Sequence, residues 1–168
     1  MFTGSGAESI KFVRQYREFG LGRIPLIGNN NLTDPQSTLD AMGAAAVGLR
    51  TNATWAPTLK NDENRRFLRN YDRFGIGTPS AFAELGYIAA QFIDLALRRI
   101  GGDTSNTDRF IQAMERVGTI RSPGGPLRMD PNTHQVVVPM YLRQVVRAGN
   151  GYTQKLIGNL GSFRDPGR

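Results

Sequence analysis

The sequence predicts an α/β fold with parallel sheet segments and helices, and three observations carry that expectation. Strand and helix patterns alternate over roughly the first fifty-five residues, as they do where helical crossovers join parallel strands. Three helical patterns then follow one another without a strand between them. The last third reads as short strands joined by Pro-Gly-Gly and Asp-Pro-Asn turns.

Taken in order, "GSGAESIKFVRQYREFGLG" is turn, helix and stop. Ser5 and Glu8 have capping-box spacing, Phe12, Tyr16 and Phe19 share a helical face, and Gly20 and Gly22 end the helix. "RIPLIG" reads as a short strand. In "NNNLTDPQSTLDAMGAAA", Asp34 is placed to cap a short helix with Pro35 at its first position, and "AVGLRTNA" follows as a strand. After the connection "TWAPTLKN" come the three helices. Phe67, Tyr71 and Phe74 mark a face of the first, and Phe110, Met114 and Val117 mark a face of the third.

The middle helix, "TPSAFAELGYIAAQFIDLALRRIGG", is apolar enough to raise the question of a membrane span. Glu84, Asp94, Arg98 and Arg99 interrupt it, and charges near a bilayer centre are expensive, so it reads as a core helix buried on most sides. Leu85, Ile88, Phe92 and Leu95 keep helical spacing along it, with Ala89 and Ala96 beside them. In the last third, Val136, Val138, Met140 and Leu142 alternate as strand residues do. Pro139, lacking an N–H, places this strand at an edge or next to a bulge. The final "LGSFRDPGR" reads as a loosely held tail.

Composition bounds the function. The formal charge of +7 permits anionic partners, yet the basic residues are dispersed along separate helices with no run of five or more. A nucleic-acid partner is therefore not expected. With no cysteine, disulfides, thiolate zinc sites and a cysteine nucleophile are excluded. His134 is the single histidine and falls in a turn, which removes multi-histidine metal sites and leaves a serine triad one candidate base. No metalloprotease, nucleophile-elbow or P-loop motif is present, so neither an enzyme nor a cofactor is expected. "GSGAES" has Ser9 where a phosphate loop would carry its third glycine. It reads as a tight turn into a helix, whose N-terminus can also offer N–H groups to a ligand carboxylate.

The ordered segments "IKFVRQYREFGL", "IPLIGNN", "AAAVGLRTNATWAP", "NDENRRFLRNYDRFGIGTPSAFAELGYIAAQFIDLALRRIGG" and "GPLRMDPNTHQ" together resemble the C-terminal half of periplasmic solute-binding proteins. These proteins serve branched-chain amino acid type ABC transporters, and amide-binding relatives share their fold. The resemblance covers residues 2–150 and implies a partial type I periplasmic-binding-protein fold containing parts of two lobes. Residues 1–52 and 135–150 would belong to the second lobe and residues 53–134 to the first, with 151–168 a C-terminal tail. It also implies that a signal peptide and most of the first lobe precede the chain, and that the protein is periplasmic and meets ABC permease subunits. Uncovered edges would favour a domain-swapped homodimer.

For ligand contacts, the resemblance implicates Phe82 at the start of the middle helix and the turn Phe2, Thr3 and Gly4. Asn29 and Asn30, at another strand end, match no family contact as clearly. Amino-acid-binding members place a carboxylate just before the glycine of the crossing strand, whereas here Val47 precedes Gly48. An apolar Val47 shifts the expected ligand from an α-amino acid toward an aromatic carboxylate, another organic acid or an amide, because a buried ammonium needs a partner. Glu84 is the candidate substitute charge. A ligand-sensing regulator of the same fold and a basic interaction module are the alternatives to solute capture.

Overall fold

The computed structural model describes residues 4–75 and 77–164. Helix α1 (Ala7–Glu18) leads to strand β1 (Ile27–Asn29), helix α2 (Gln36–Met42) and strand β2 (Arg50–Ala53). Helices α3 (Asp62–Asp72), α4 (Ala81–Arg99) and α5 (Thr107–Glu115) follow in succession. The chain closes with β3 (Thr119–Ser122), β4 (Gly125–Met129), β5 (Val136–Ala148) and β6 (Gly151–Phe163).

The sheet is mixed. β1 and β2, joined through α2, form its parallel ladder, with Ile27 opposite Arg50 and Asn29 opposite Asn52. The remaining pairings are antiparallel: β3–β4, β4–β5 and β5–β6 are joined by connections too short for a crossover, whereas β5 reaches β2 from beyond the three helices. β5 is the long member that binds the sheet together. It meets β4 through Val136 and Val137, β2 through Tyr141 to Gln144, and β6 from Val138 to Ala148. Pro139 falls in the interval between the β4 and β2 pairings, next to a register shift at Met140/Tyr141. Pro139 thus lies where β5 has β6 alone beside it, and the extra residue at the nearby shift, Leu160, is on β6.

Several local expectations are corrected. Residues 151–163 are not a tail, since β6 hydrogen-bonds along β5 with Ala148 opposite Gly151 and Val138 opposite Phe163. The hairpin had been hidden because β6 carries glycines at 158 and 161 that dilute its strand pattern. Ser5 and Glu8 do not form a capping box. Gly6, at φ 55°, occupies the N-cap and α1 begins without a side-chain cap. Asp34 does not cap α2 either, because its carboxylate turns inward to Arg143 and Pro35 stands at the N-cap. Phe19 and Phe74 leave their helical faces, at 77% and 76% exposed.

Helix α4 is buried on one face and not on most sides. Ala81, Glu84, Ile88, Phe92 and Ala96 point inward at three- and four-residue spacing, while Phe82, Leu85 and Ile93 are exposed. Its N-terminus is set by Ser80, whose Oγ accepts from the Ala83 N–H at 3.3 Å. Asn61 and Asn106 cap α3 and α5 in the same manner.

The core divides. One cluster packs Val13, Leu32, Leu39, Met42, Ala46, Leu49 and Val145 between α1, α2 and the β2–β5 sheet. The others gather Trp55, Phe67 and Ala81, then Ile88, Phe92, Ile120 and Leu127, then Ala96, Ile100 and Ala113. The chain passes between the two packed regions after β2 and again along β5.

Candidate binding edge and buried polar groups

In parallel α/β sheets, ligands bind at the carboxyl ends of the strands. Here that edge carries Asn29 at the end of β1 and the turn that leads into α1. Ser9, fully buried in the first turns of α1, ties the two together by donating from Oγ to the Gly4 carbonyl at 3.0 Å, with the Asn31 carbonyl at 3.5 Å. Two features leave hydrogen-bonding capacity unspent there. The first turn of α1 has no side-chain cap, so its N–H groups and the positive end of the helix dipole face outward. Asn29 Oδ1 is buried and accepts no hydrogen bond among the described residues.

The loop behind this edge is fixed from below. Arg143 on β5 is 0% exposed and spends its guanidinium on three acceptors. These are Asp34 Oδ2 at 3.0 Å, Thr51 Oγ1 at 3.2 Å and the Trp55 carbonyl at 3.3 Å. Gln154 on β6 donates from Nε2 to the Thr33 carbonyl and to Thr33 Oγ1, both at 3.0 Å. The connection after β2 is held just as firmly. Trp55 Nε1–H donates to Asn64 Oδ1 at 2.8 Å, and Asn64 Nδ2 donates to the Leu59 and Pro57 carbonyls.

Glu84 is also 0% exposed and has no cation beside it. Its Oε1 accepts from the Gly124 N–H at 3.2 Å, while Oε2 has no partner among the described residues. Burial pushes its carboxyl up to about 8, opposed only by that one backbone hydrogen bond, so it is neutral at pH 7. The fit around Gly124 is close. A Cβ there would lie 2.5 Å from the Thr54 carbonyl and 2.9 Å from Glu84 Oε1. Tyr141 donates to the Gly124 carbonyl at 2.8 Å, and its hydroxyl is raised by burial and by the nearby Glu84. A cavity of about 50 Å³ adjoins the carboxyl, lined by Thr54, Leu85, Ile88, Leu127 and Val138 among others.

The residues expected to contact ligand are not all brought together. Phe2 and Thr3 lie outside the described residues, while Gly4 sits on the binding edge. Phe82, 49% exposed, begins α4 and belongs to the other packed region. Val47 is at the opposite end of the sheet. It precedes β2 rather than following it, and its carbonyl accepts from Arg17 Nη2 in the last turn of α1 at 2.7 Å. With α1 lying between them, a helix of twelve residues spans about 18 Å from Gly4 to that end. Val47 is therefore not brought to the edge that carries Gly4 and Asn29. Glu84, neutral and enclosed, does not supply a substitute charge to the edge. Asn29 was named from its strand end and set aside for want of a clear family match. Its place at a strand end was visible, but its unpaired oxygen was not.

No group of three or more metal-ligating side chains occurs among the described residues, and no helix among them is long and apolar enough to cross a membrane.

Comparison with known proteins agrees with this architecture. The sequence is 32% identical over 174 residues to Leu/Ile/Val-binding protein homolog 6 of Brucella melitensis, a match covering 99% of this chain and 43% of that protein. The chain thus spans less than half the length of the curated relatives it matches. An ABC transporter substrate-binding protein from Sphaerobacter thermophilus superposes with a TM-score of 0.88 at 28% identity, covering 96% of this chain and 44% of that one. An ABC-transporter solute-binding protein from R. palustris, solved in complex with benzoate, gives 0.84 at 29% identity, covering 98% and 43%. Another from Rhodopseudomonas palustris BisB5, in complex with 3,4-dihydroxybenzoic acid, gives 0.84 at 27%, covering 98% and 45%. With residues 1–150 matching the family described as periplasmic binding protein, and with these solute-binding neighbours, the chain belongs to the periplasmic binding protein family.

Proposed function

We propose that the chain forms part of the solute-binding component of an ABC uptake system, capturing a small organic acid without covalent chemistry. The observation that carries this reading is the unspent hydrogen-bonding capacity at the carboxyl edge of β1. The uncapped N-terminus of α1 suits a carboxylate, and Asn29 Oδ1 suits a donor on the same ligand. Asp34 is occupied by Arg143, Asp130 by Arg164 and Glu84 is neutral, so none of these buried carboxyl groups is free to pair an ammonium.

Among the acids, an aromatic carboxylate is favoured by the benzoate and dihydroxybenzoate found with similar solute-binding proteins. In this reading residues 1–52 and 135–150 belong to one lobe and residues 53–134 to the other. Ligand sits between them in the complete periplasmic protein and is passed to the transporter's permease subunits. Phe82 approaches from the second packed region, and Phe2, Thr3 and Gly4 from the turn before α1. An aromatic side chain suits that role because it offers a large contact area at small entropic cost.

The test is a thermal-shift screen of the full-length protein against benzoates, aliphatic acids, amides and branched-chain amino acids. Benzoates are expected to raise the melting temperature most, and Phe82→Ala to weaken them by about tenfold. Stabilisation by α-amino acids alone would overturn the aromatic-acid reading. No stabilisation by any member of the panel would overturn solute capture of this class.

A further inference from the structure

The carboxyl edge of β1 is shaped by residues that never reach it. Asn29 to Asn31 lie at the head of a loop whose far limb, Thr33 and Asp34, is completely buried. That limb is gripped by two strand side chains more than a hundred residues further along the chain, Arg143 and Gln154. Both grips come from the β5–β6 hairpin, so the hairpin acts as the floor on which the loop rests. Gln36, at the start of α2, adds a third tie by donating to the Tyr152 carbonyl at 2.9 Å.

Arg143 does more than close an ion pair. Its guanidinium donates to the loop (Asp34), to β2 (Thr51) and to the connection that leaves the first packed region (Trp55). A buried ion pair contributes little stability over an apolar pair of equal volume. What the guanidinium supplies, and an apolar side chain does not, is a fixed direction for each of three partners. Thr51, Trp55 and Asp34 thereby keep one geometry with respect to one another, and two of them belong to segments that lead to the binding edge or away from it.

We propose that Arg143, with Asp34, is a positioning residue for ligand binding, setting the placement of the Asn29–Asn31 loop relative to the connection at Trp55 without touching ligand. The proposal rests on the functional reading above, and its experiment separates the two. In the full-length protein, the paired replacement Arg143→Met with Asp34→Leu removes the directional contacts while keeping the site filled. Asp34→Asn, a milder change, retains a hydrogen-bond acceptor and serves if the double variant does not fold. Arg143→Lys keeps the charge but not the fork.

Backbone hydrogen exchange and benzoate titration are measured on each. The double variant is expected to keep a melting temperature within a few degrees of the parent. Exchange over residues 29–34 is expected to quicken by about tenfold or more, and benzoate affinity to fall by a similar factor. Asp34→Asn is expected to show the same pattern with smaller changes, and Arg143→Lys to restore less than half of the lost affinity. Exchange in 29–34 unchanged from the parent in a folded variant overturns the positioning role, as does faster exchange with benzoate affinity intact. If the parent binds no benzoate, the functional reading fails by itself, and hydrogen exchange alone then decides the positioning role.

Discussion

Asp34 and Glu84 are both buried carboxyl groups, one in each packed region, and the fold treats them in opposite ways. Asp34 lies against a guanidinium that is itself fully enclosed, so charge is met by charge. Glu84 has one backbone N–H and an otherwise apolar surround, so it keeps its proton. The difference teaches that a carboxyl group can be buried by two routes with different sensitivities. The paired one responds to loss of its partner, and the protonated one responds to pH.

The largest expected effect tests the second route. Glu84 binds its proton more tightly folded, at about 8, than unfolded, at 4.5. Its contribution to stability is therefore complete below pH 4.5 and is lost as the pH rises through that interval to about 8. Linkage at about 1.4 kcal/mol per pH unit puts the loss on the order of 4–5 kcal/mol. Glu84→Gln, which cannot ionise, should flatten this part of the pH profile in urea denaturation. A variant whose stability falls with pH as steeply as the parent's would show that another group is responsible.

Next in size is loss of a partner. Asp34→Ala leaves the Arg143 guanidinium buried and uncompensated and should cost about 3–4 kcal/mol, with little dependence on pH between 6 and 9. A cost below about 1 kcal/mol in the same denaturation experiment would mean that the guanidinium finds other acceptors. The smallest effect separates hydrogen bonding from charge. Tyr141→Phe removes the donor to the Gly124 carbonyl beside Glu84 and should cost about 1–2 kcal/mol at pH 5 and pH 7 alike. A cost that grows with pH would place Tyr141 in the titration of Glu84 rather than next to it.

The contrast also shows what could be read from the sequence. Helices α3, α4 and α5 were legible because their apolar residues keep a period near 3.6. The order of segments was enough to place the chain in its family. The fates of Asp34 and Glu84 were not legible, since each depends on residues forty to more than a hundred positions away. Asp34 before Pro35 has every local mark of a helix cap, and only the arrival of β5 turns it inward. Glu84 looked like a charge interrupting an apolar helix, whereas burial has taken its charge away. The position of Val47 in the sheet was not legible for a similar reason. A residue beside a strand can lie at either end of the sheet, and only the direction of β2 relative to β1 decides which. The β5–β6 hairpin was half legible, since β5 alternates clearly and β6 does not.

Pro139 has a mechanical consequence. β5 is fastened to β4 at one end and to β2 further along, and the residues between are the stretch it must supply without either ladder. The thirteen residues of β5 make a rod about 40 Å long, and over this interval, as again beyond Gln144, neither of those two strands pairs with it. Beside it run β6, which pairs with β5 as far as Val138, and the connection at Thr54 and Trp55. Neighbouring strands of this kind would restrict rotation of one region against the other. The proline ring stiffens its own φ, so torsion along the rod is thrown onto Val138 and Met140 on either side. Their backbone angles are where a swing of the two halves would be measured.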